Sequence, residues 1–366
     1  MSLQEEIAKK SSEIYREAYQ MSIGELINLY RDEELDIHPE FQRVFRWSDY
    51  QKTKLIESIM LNIPIPQIFV SQREDGTWDV IDGVQRLSTI FQFVGILKDE
   101  DGKDIPPLVL EATDDLPSFA GMKWQGKGEL SFTKEQQLTL KRARLDVIII
   151  KKESDSNTKY ELFQRLNTGG SLLSDQEVRN CLVIMSNRDI YDLIEKLSNN
   201  TSYEKCLKIS ERKSGEQYDQ EMIVRLLVAD HIDWNCISKY KDFSELLDKE
   251  VLKICDDTNY NIEDVTDRFE KTFDLLSGLF GEDVFRKFED GKYTGPFLAS
   301  AFQTIAFGVM ANIEAILKIE DKNKWLQEKV KAIYLEETYI RNTVPGVRAI
   351  PRYKELSIWG REYFKE

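Results

Sequence analysis

The chain has 366 residues, of which 41% are hydrophobic and 31% charged, with a formal net charge of −15. That length suits two globular domains, and the acidic balance excludes a protein that coats nucleic acid with its whole surface, although a local basic patch could still contact phosphates. No 18-residue apolar run and no basic-then-apolar leader occurs, so the expectation is a cytoplasmic protein without a membrane partner.

In chain order, the opening MSLQEEIAKKSSEIYREAY is charged and helix-prone, and residues 22–30 predict a short helix. Residues 35–47, LDIHPEFQRVFRW, form an irregular extended segment rich in aromatics and arginine. Ser48 and Gln51 then make a capping-box pattern opening a helix whose apolar face is Leu55, Ile56, Ile59 and Met60. Pro64 and Pro66 force an extended chain, and QIFVSQREDGTWDVID reads as two strands around an Asp75-Gly76 turn. Helical period returns over 84–97.

Residues 98–135 are loop-rich and resemble an insertion before a buried strand at 144–151, RLDVIIIK. A helix is expected over 160–166, a tight turn at Asn167, Thr168, Gly169 and Gly170, and a second capping box at Ser174 and Glu177. From about 190 to 337 the pattern is helix after helix, without a convincing strand, broken at GEQYD, FGED and DGKYTGP. The fold class is therefore α+β: a mixed α/β domain over 1–190 and an all-helical domain over 191–366.

The scarce chemistry-bearing residues narrow function. Only His38 and His231 are present, too few for an HNH nuclease, and His231 in IVRLLVADHIDW reads as a satisfied helix histidine. Cys181, Cys206, Cys236 and Cys255 form no C-x-x-C pair and read as reduced core thiols, so neither a zinc site nor a haem is expected.

The stretch DVIDGVQRLSTI at 79–90 carries two readings. As structure, Asp82 is a helix N-cap and Gln85 its reciprocal partner. That leaves Gly83 and Arg86 unexplained, since a cation in the first turn faces the positive end of the helix dipole. As chemistry, the strand, the glycine and the helix N-terminus make a phosphate cradle. Gly83 and Arg86 hold the phosphate, Asp82 a divalent cation or water, and Gln85 positions that water.

Upstream, Gln42, Arg43 and Arg46 lie among Phe41, Phe45 and Trp47. The alternatives there are a salt bridge, Arg43 to Asp82, or recognition of an anion or base. Downstream, FQRLNTGGSLLSDQEVRN reads as a glycine C-cap before a capped helix, or as an amide nest for phosphate at Asn167, Thr168, Gly169 and Gly170.

Taken in order, IHPEFQRVFRW, LIESIMLNIPIPQIFV, VIDGVQRLSTI, FQRLNTGGSLLSDQEVRN and GKYTGPF resemble the GmrS-like family of ParB-type domains over about residues 20–310. The resemblance implies a ParB/sulfiredoxin-like fold with a D-G-Q-Q-R signature, associated with nucleotide binding and hydrolysis in systems restricting modified or foreign DNA. Asp82, Gly83, Gln85 and Arg86 match the signature, and Val84 stands where the first glutamine is usual. Many relatives resemble two-part machines with a following HNH domain; no H-N-H pattern occurs here, which implies a separate nuclease partner or another chemistry.

The expected activity is Mg²⁺-dependent NTP hydrolysis, with Asp82, Gln85 and Arg86 catalytic and Asp82 near the metal. The alternatives are a non-catalytic module binding DNA or a partner, or a DNA-nicking ParB-type nuclease. Residues 341–366 form the one basic island, net +3, in which Arg341, Arg348, Arg352 and Lys354 contact DNA or a partner, or simply dock on the helical domain.

Overall fold

The computed structural model describes residues 2–4, 15–37, 47–99, 102–126, 130–151, 174–210, 213 and 217–366. The chain divides into two compact units, Met1–Leu172 and Leu173–Glu366. The fold is α+β, with the five-stranded sheet in the first unit and mostly helices in the second.

The sheet of the first unit has the order β1-β5-β3-β4-β2, built from β1 (Arg16–Ser22), β2 (Leu35–Asp36), β3 (Ile68–Gln72), β4 (Trp78–Asp82) and β5 (Arg144–Ile150). Central β3 and β5 carry the buried apolar runs IFV and VIII, as strands covered on both faces do. The helix-prone start is corrected at β1, where REAYQMS is an exposed edge strand. Its backbone pairs antiparallel with β5, from Arg16 opposite Ile150 to Ser22 opposite Arg144, and that pairing overrides local propensity.

The β3–β4 hairpin turns where the sequence predicts. Gly76 takes a left-handed conformation at φ 94°, and Asp75 accepts the Thr77 amide at 2.9 Å. Val70 pairs with Val80 and Phe69 with Asp82, which leaves Ile81 as an extra residue on β4, a β-bulge immediately before Asp82.

Among the described residues, four helices complete this unit: α1 (Ile23–Arg31), α2 (Asp49–Met60), α3 (Val84–Val94) and α4 (Lys134–Arg142). Ser22 caps α1 by accepting the Glu25 amide, and Ser48 with Gln51 forms the predicted reciprocal box on α2. Helix α3 is buried nearly all round. Phe91 stacks on Tyr30 at 4.4 Å, and Phe93 meets Phe132 edge-on at 5.0 Å, which anchors the loop-rich 98–135 segment to the core. Gly95 at φ 77° ends the helix.

The second unit holds α5 (Asp175–Ser186), α6 (Arg188–Ser198), α7 (Thr201–Cys206), α8 (Tyr218–His231), α9 (Phe243–Asp256), α10 (Ile262–Phe280), α11 (Ala299–Ile316), α12 (Lys322–Ala332), α13 (Glu337–Thr343) and α14 (Ala349–Tyr363). The Ser174–Glu177 box starts α5 as expected. The strandless expectation fails at one place: β6 (Lys287–Glu289) and β7 (Lys292–Thr294) form a small hairpin, with Asp290 at φ 51° and Gly291 at φ 79° as its two-residue turn. Three-residue strands give too short an alternation to be read as period two.

Helix α11 is apolar and long enough to span a membrane by composition, yet two thirds of it is buried in this unit, where it packs on α14. The contact is glycine to backbone. A Cβ at Gly308 would sit 2.5 Å from the Gly360 carbonyl, and one at Gly360 would sit 2.5 Å from the Thr304 carbonyl. Three of the four cysteines are buried, as a core role requires, but Cys236 is exposed.

Candidate functional site

The 79–90 stretch folds as strand, glycine and helix, but its local bonding differs from a capping box. The residue flanking α3 is Gly83, at φ 103°, and no side chain caps the helix. Gly83 displaces Asp82 one position too far upstream to cap, so the aspartate carboxylate meets the residue one turn on instead. Arg86 donates from Nη2 to Asp82 Oδ2 at 2.7 Å and to the Gln67 carbonyl at 3.3 Å. An internal anion thus offsets the cation at the positive end of the helix.

Gly83 is required twice over. Its φ is unfavourable for any residue with a Cβ, and a Cβ there would lie 2.3 Å from Ile68 Cδ1 and 3.2 Å from Arg86 Nη2. The glycine lets the guanidinium lie flat against the turn. Val84 is buried and packs in the core.

Gln85 is likewise buried, and its Oε1 accepts the backbone amide of Trp47 at 3.4 Å. The end of the aromatic-arginine segment is therefore tied to the turn. Arg86 Nε is buried without a partner among the described residues, while the Arg86 side chain is 12% and that of Asp82 42% exposed. The site thus has a half-open carboxylate and a sheltered guanidinium with spare donor capacity.

Of the other candidate residues, His38, Gln42, Arg43, Arg46, Asn167, Thr168, Gly169 and Gly170 lie outside the described residues. In the basic island, Arg341 and Arg348 are exposed. Arg352 donates from Nη2 to the Val347 carbonyl at 2.6 Å and Lys354 from Nζ to the Trp234 carbonyl at 2.9 Å, so two of the four cations turn into their own unit. His231 closes α8 with Nε2 3.2 Å from Asp257 Oδ2. Among the described residues no group of three or more His, Cys, Asp or Glu side chains gathers as a metal site.

A cavity of about 720 Å³ opens at the opposite, hairpin end of β4, lined by Tyr30, Asp36, Arg73, Lys98 and Asp104 among others. Sequence reasoning missed it. Its one signal is the arginine opening the R-E-D-G turn: Arg73 donates to Asp79 at 2.9 Å and Asp36 at 2.8 Å, and burial, outweighed by these carboxylates, leaves its pKa raised. Because Asp79 is fully buried, this triad reads first as charge compensation under the sheet.

The D-G-x-x-R turn, the tie from Trp47 to Gln85 and the buried guanidinium can now be set beside known proteins. Residues 23–184 match the family model of the GmrSD restriction endonuclease, N-terminal domain. No curated protein and no solved structure matches the chain. The match starts at the first residue of α1, contains Asp82 to Arg86, and ends within α5, so the described residues that build the site lie inside the matched part.

Proposed function

We propose that the first unit binds a nucleotide through Gly83 and Arg86 and hydrolyses it with Mg²⁺, serving as sensor or regulator in cytoplasmic restriction of modified or foreign DNA. The restriction setting is supported by the GmrSD match. The nucleotide is supported chiefly by one observation: Arg86 is sheltered at the first turn of α3 with its Nε unpaired among the described residues. A phosphate there would take the donors that Arg86 has to spare and meet the unbonded first amides of the helix.

Asp82 fits the role of single carboxylate beside a nucleotide-borne Mg²⁺, which takes most of its ligands from phosphate and water. When bound, that ion would neutralise charge on the phosphates. With Gln85 Oε1 taken by Trp47, the amide Nε2 of Gln85 is left to donate, and it would hold a phosphate oxygen or the attacking water in place. Gln42, Arg43, Arg46, Asn167, Thr168, Gly169 and Gly170 would complete the pocket. Arg341 and Arg348, which face solvent, would be the tail's contacts to DNA or to a separate nuclease subunit. A ParB/sulfiredoxin-like ancestry with a D-G-Q-Q-R signature belongs to the same proposal.

Purified full-length protein should release phosphate or diphosphate from an NTP with Mg²⁺, and Asp82→Ala should not. Equal background release by both would overturn hydrolysis. The rival reading, a non-catalytic module, draws support from the Asp82–Arg86 pair, which makes the turn self-sufficient. It predicts that Arg86→Ala unfolds the first unit and that no nucleotide raises the wild-type melting temperature.

A further inference from the structure

The second unit contains a cavity of about 220 Å³ lined by Tyr218, Arg225, Phe243, Gln303, Arg352 and Ala349, with Ala299 and Ser300 at its edge. Its polar groups are under-used. Gln303 is 6% exposed, and its side-chain amide has no hydrogen-bond partner among the described residues. The amide lines the cavity, where an entering group could bond it.

Arg352 shows the same deficit. It meets no carboxylate among the described residues, its Nη2 is bonded only to the Val347 carbonyl, and its Nε is buried without a partner. Arg225 lies 4.6 Å over the Phe243 ring and pairs with one carboxylate, Glu221, through Nε at 3.0 Å and through Nη2, so its Nη1 is left over. The balance of these three charges is one positive. Lys213 lies 4.3 Å over the ring of Tyr218, one of the lining residues.

The chain path strengthens the field. Ala349 is the first residue of α14, a 15-residue helix with no side-chain cap and no acidic residue in its first turn. The positive end of α14 is therefore turned on the cavity that Arg352, from the same turn, lines. Two guanidiniums, a buried amide, the Tyr218 hydroxyl and a helix N-terminus supply more donors than a carboxylate has oxygens, and they match the three acceptor oxygens of a phosphoryl group.

We infer that this cavity is a second anion site, taking a phosphoryl group from a small phosphate compound or from a DNA strand. The inference stands apart from the nucleotide site at Arg86. Titration calorimetry at low ionic strength would use full-length protein with inorganic phosphate in one arm and a short DNA duplex in the other. Arg352→Gln and Gln303→Leu, each checked for native circular dichroism, should weaken the affected ligand about tenfold or more, while the same binding component persists in Arg86→Gln. Loss in the phosphate arm assigns a small phosphate compound; loss in the DNA arm alone assigns a strand phosphate. Should one cavity variant fail to fold, the other decides. Unchanged affinity in the folded variants, or no binding in either arm, overturns the site.

Discussion

Arg86 Nη2 and Asp82 Oδ2 lie 2.7 Å apart across one turn, and this contact occupies both groups that nucleotide chemistry would need. A phosphate can take the spare Arg86 donors but must compete with Asp82 for Nη2. Asp82→Asn should tighten Mg²⁺-free binding of a non-hydrolysable nucleotide by about three- to tenfold, in line with the modest worth of a partly exposed ion pair. The same variant should lose Mg²⁺-dependent phosphate release. Binding by filter retention and release by a phosphate assay would separate the two effects.

Gly83→Ala tests the turn as architecture. The left-handed backbone and the contact with Ile68 together predict a loss of about 2–4 kcal/mol, read as a lower urea midpoint for the first unit. Gly76→Ala has the strained φ without any atom within 4 Å of the new Cβ, and should cost less, about 1 kcal/mol.

These two glycines show what was legible in the sequence. Asp75-Gly76 announced its turn because the flanking residues alternate as strands do, and the Ser48 and Ser174 boxes announced their helices because both halves of each motif are local. Asp82 and Gln85 satisfied the same spacing but answered to partners that spacing does not reveal: Arg86 one turn on, and the Trp47 amide 38 positions away. Strand β1 was hidden for the same reason, since its ladder partner is β5, more than a hundred residues later. The cavity cluster at Arg225, Gln303 and Arg352 was illegible because its members come from three helices far apart in the chain.

Within the second unit, Arg179 and Asp248 are almost fully buried and 2.7 Å apart, joining α5 to α9. Arg179→Met should destabilise this unit by about 3–5 kcal/mol by removing the buried aspartate's guanidinium, and Arg179→Met with Asp248→Leu should recover much of that loss. Urea melts of the four combinations give the coupling directly.

Thiol accessibility should be uneven. Burial pushes the Cys206 and Cys255 thiols up to about 12, whereas Cys236 is exposed with its Sγ donating to Asp233 Oδ2 at 3.3 Å. Native protein treated with a maleimide near neutral pH should be labelled rapidly at Cys236, and the labelling of Cys206 and Cys255 should wait for unfolding. Mass mapping of the labelled peptides checks it.

Acid should weaken the first unit through Glu57. Burial raises its carboxyl, but Lys54 and the Thr113 hydroxyl outweigh that, and the net pKa lies below the ordinary value. Because the folded value is the lower one, the stabilisation is present above the unfolded pKa and disappears as pH falls through the folded pKa. Glu57→Gln should therefore flatten the stability profile from about pH 5 downward, measured by urea midpoints at successive pH values.

The extra residue in β4 gives Asp82 its aim. In an uninterrupted ladder the position opposite Phe69 would belong to Ile81, and the chain would enter the turn with the opposite parity. Ile81 acts as a shim of one residue: it takes no rung of its own, so Asp82 rather than Ile81 stands opposite Phe69 as the strand gives way to Gly83. The aim of the carboxylate is thus set by a count of residues as well as by their identity.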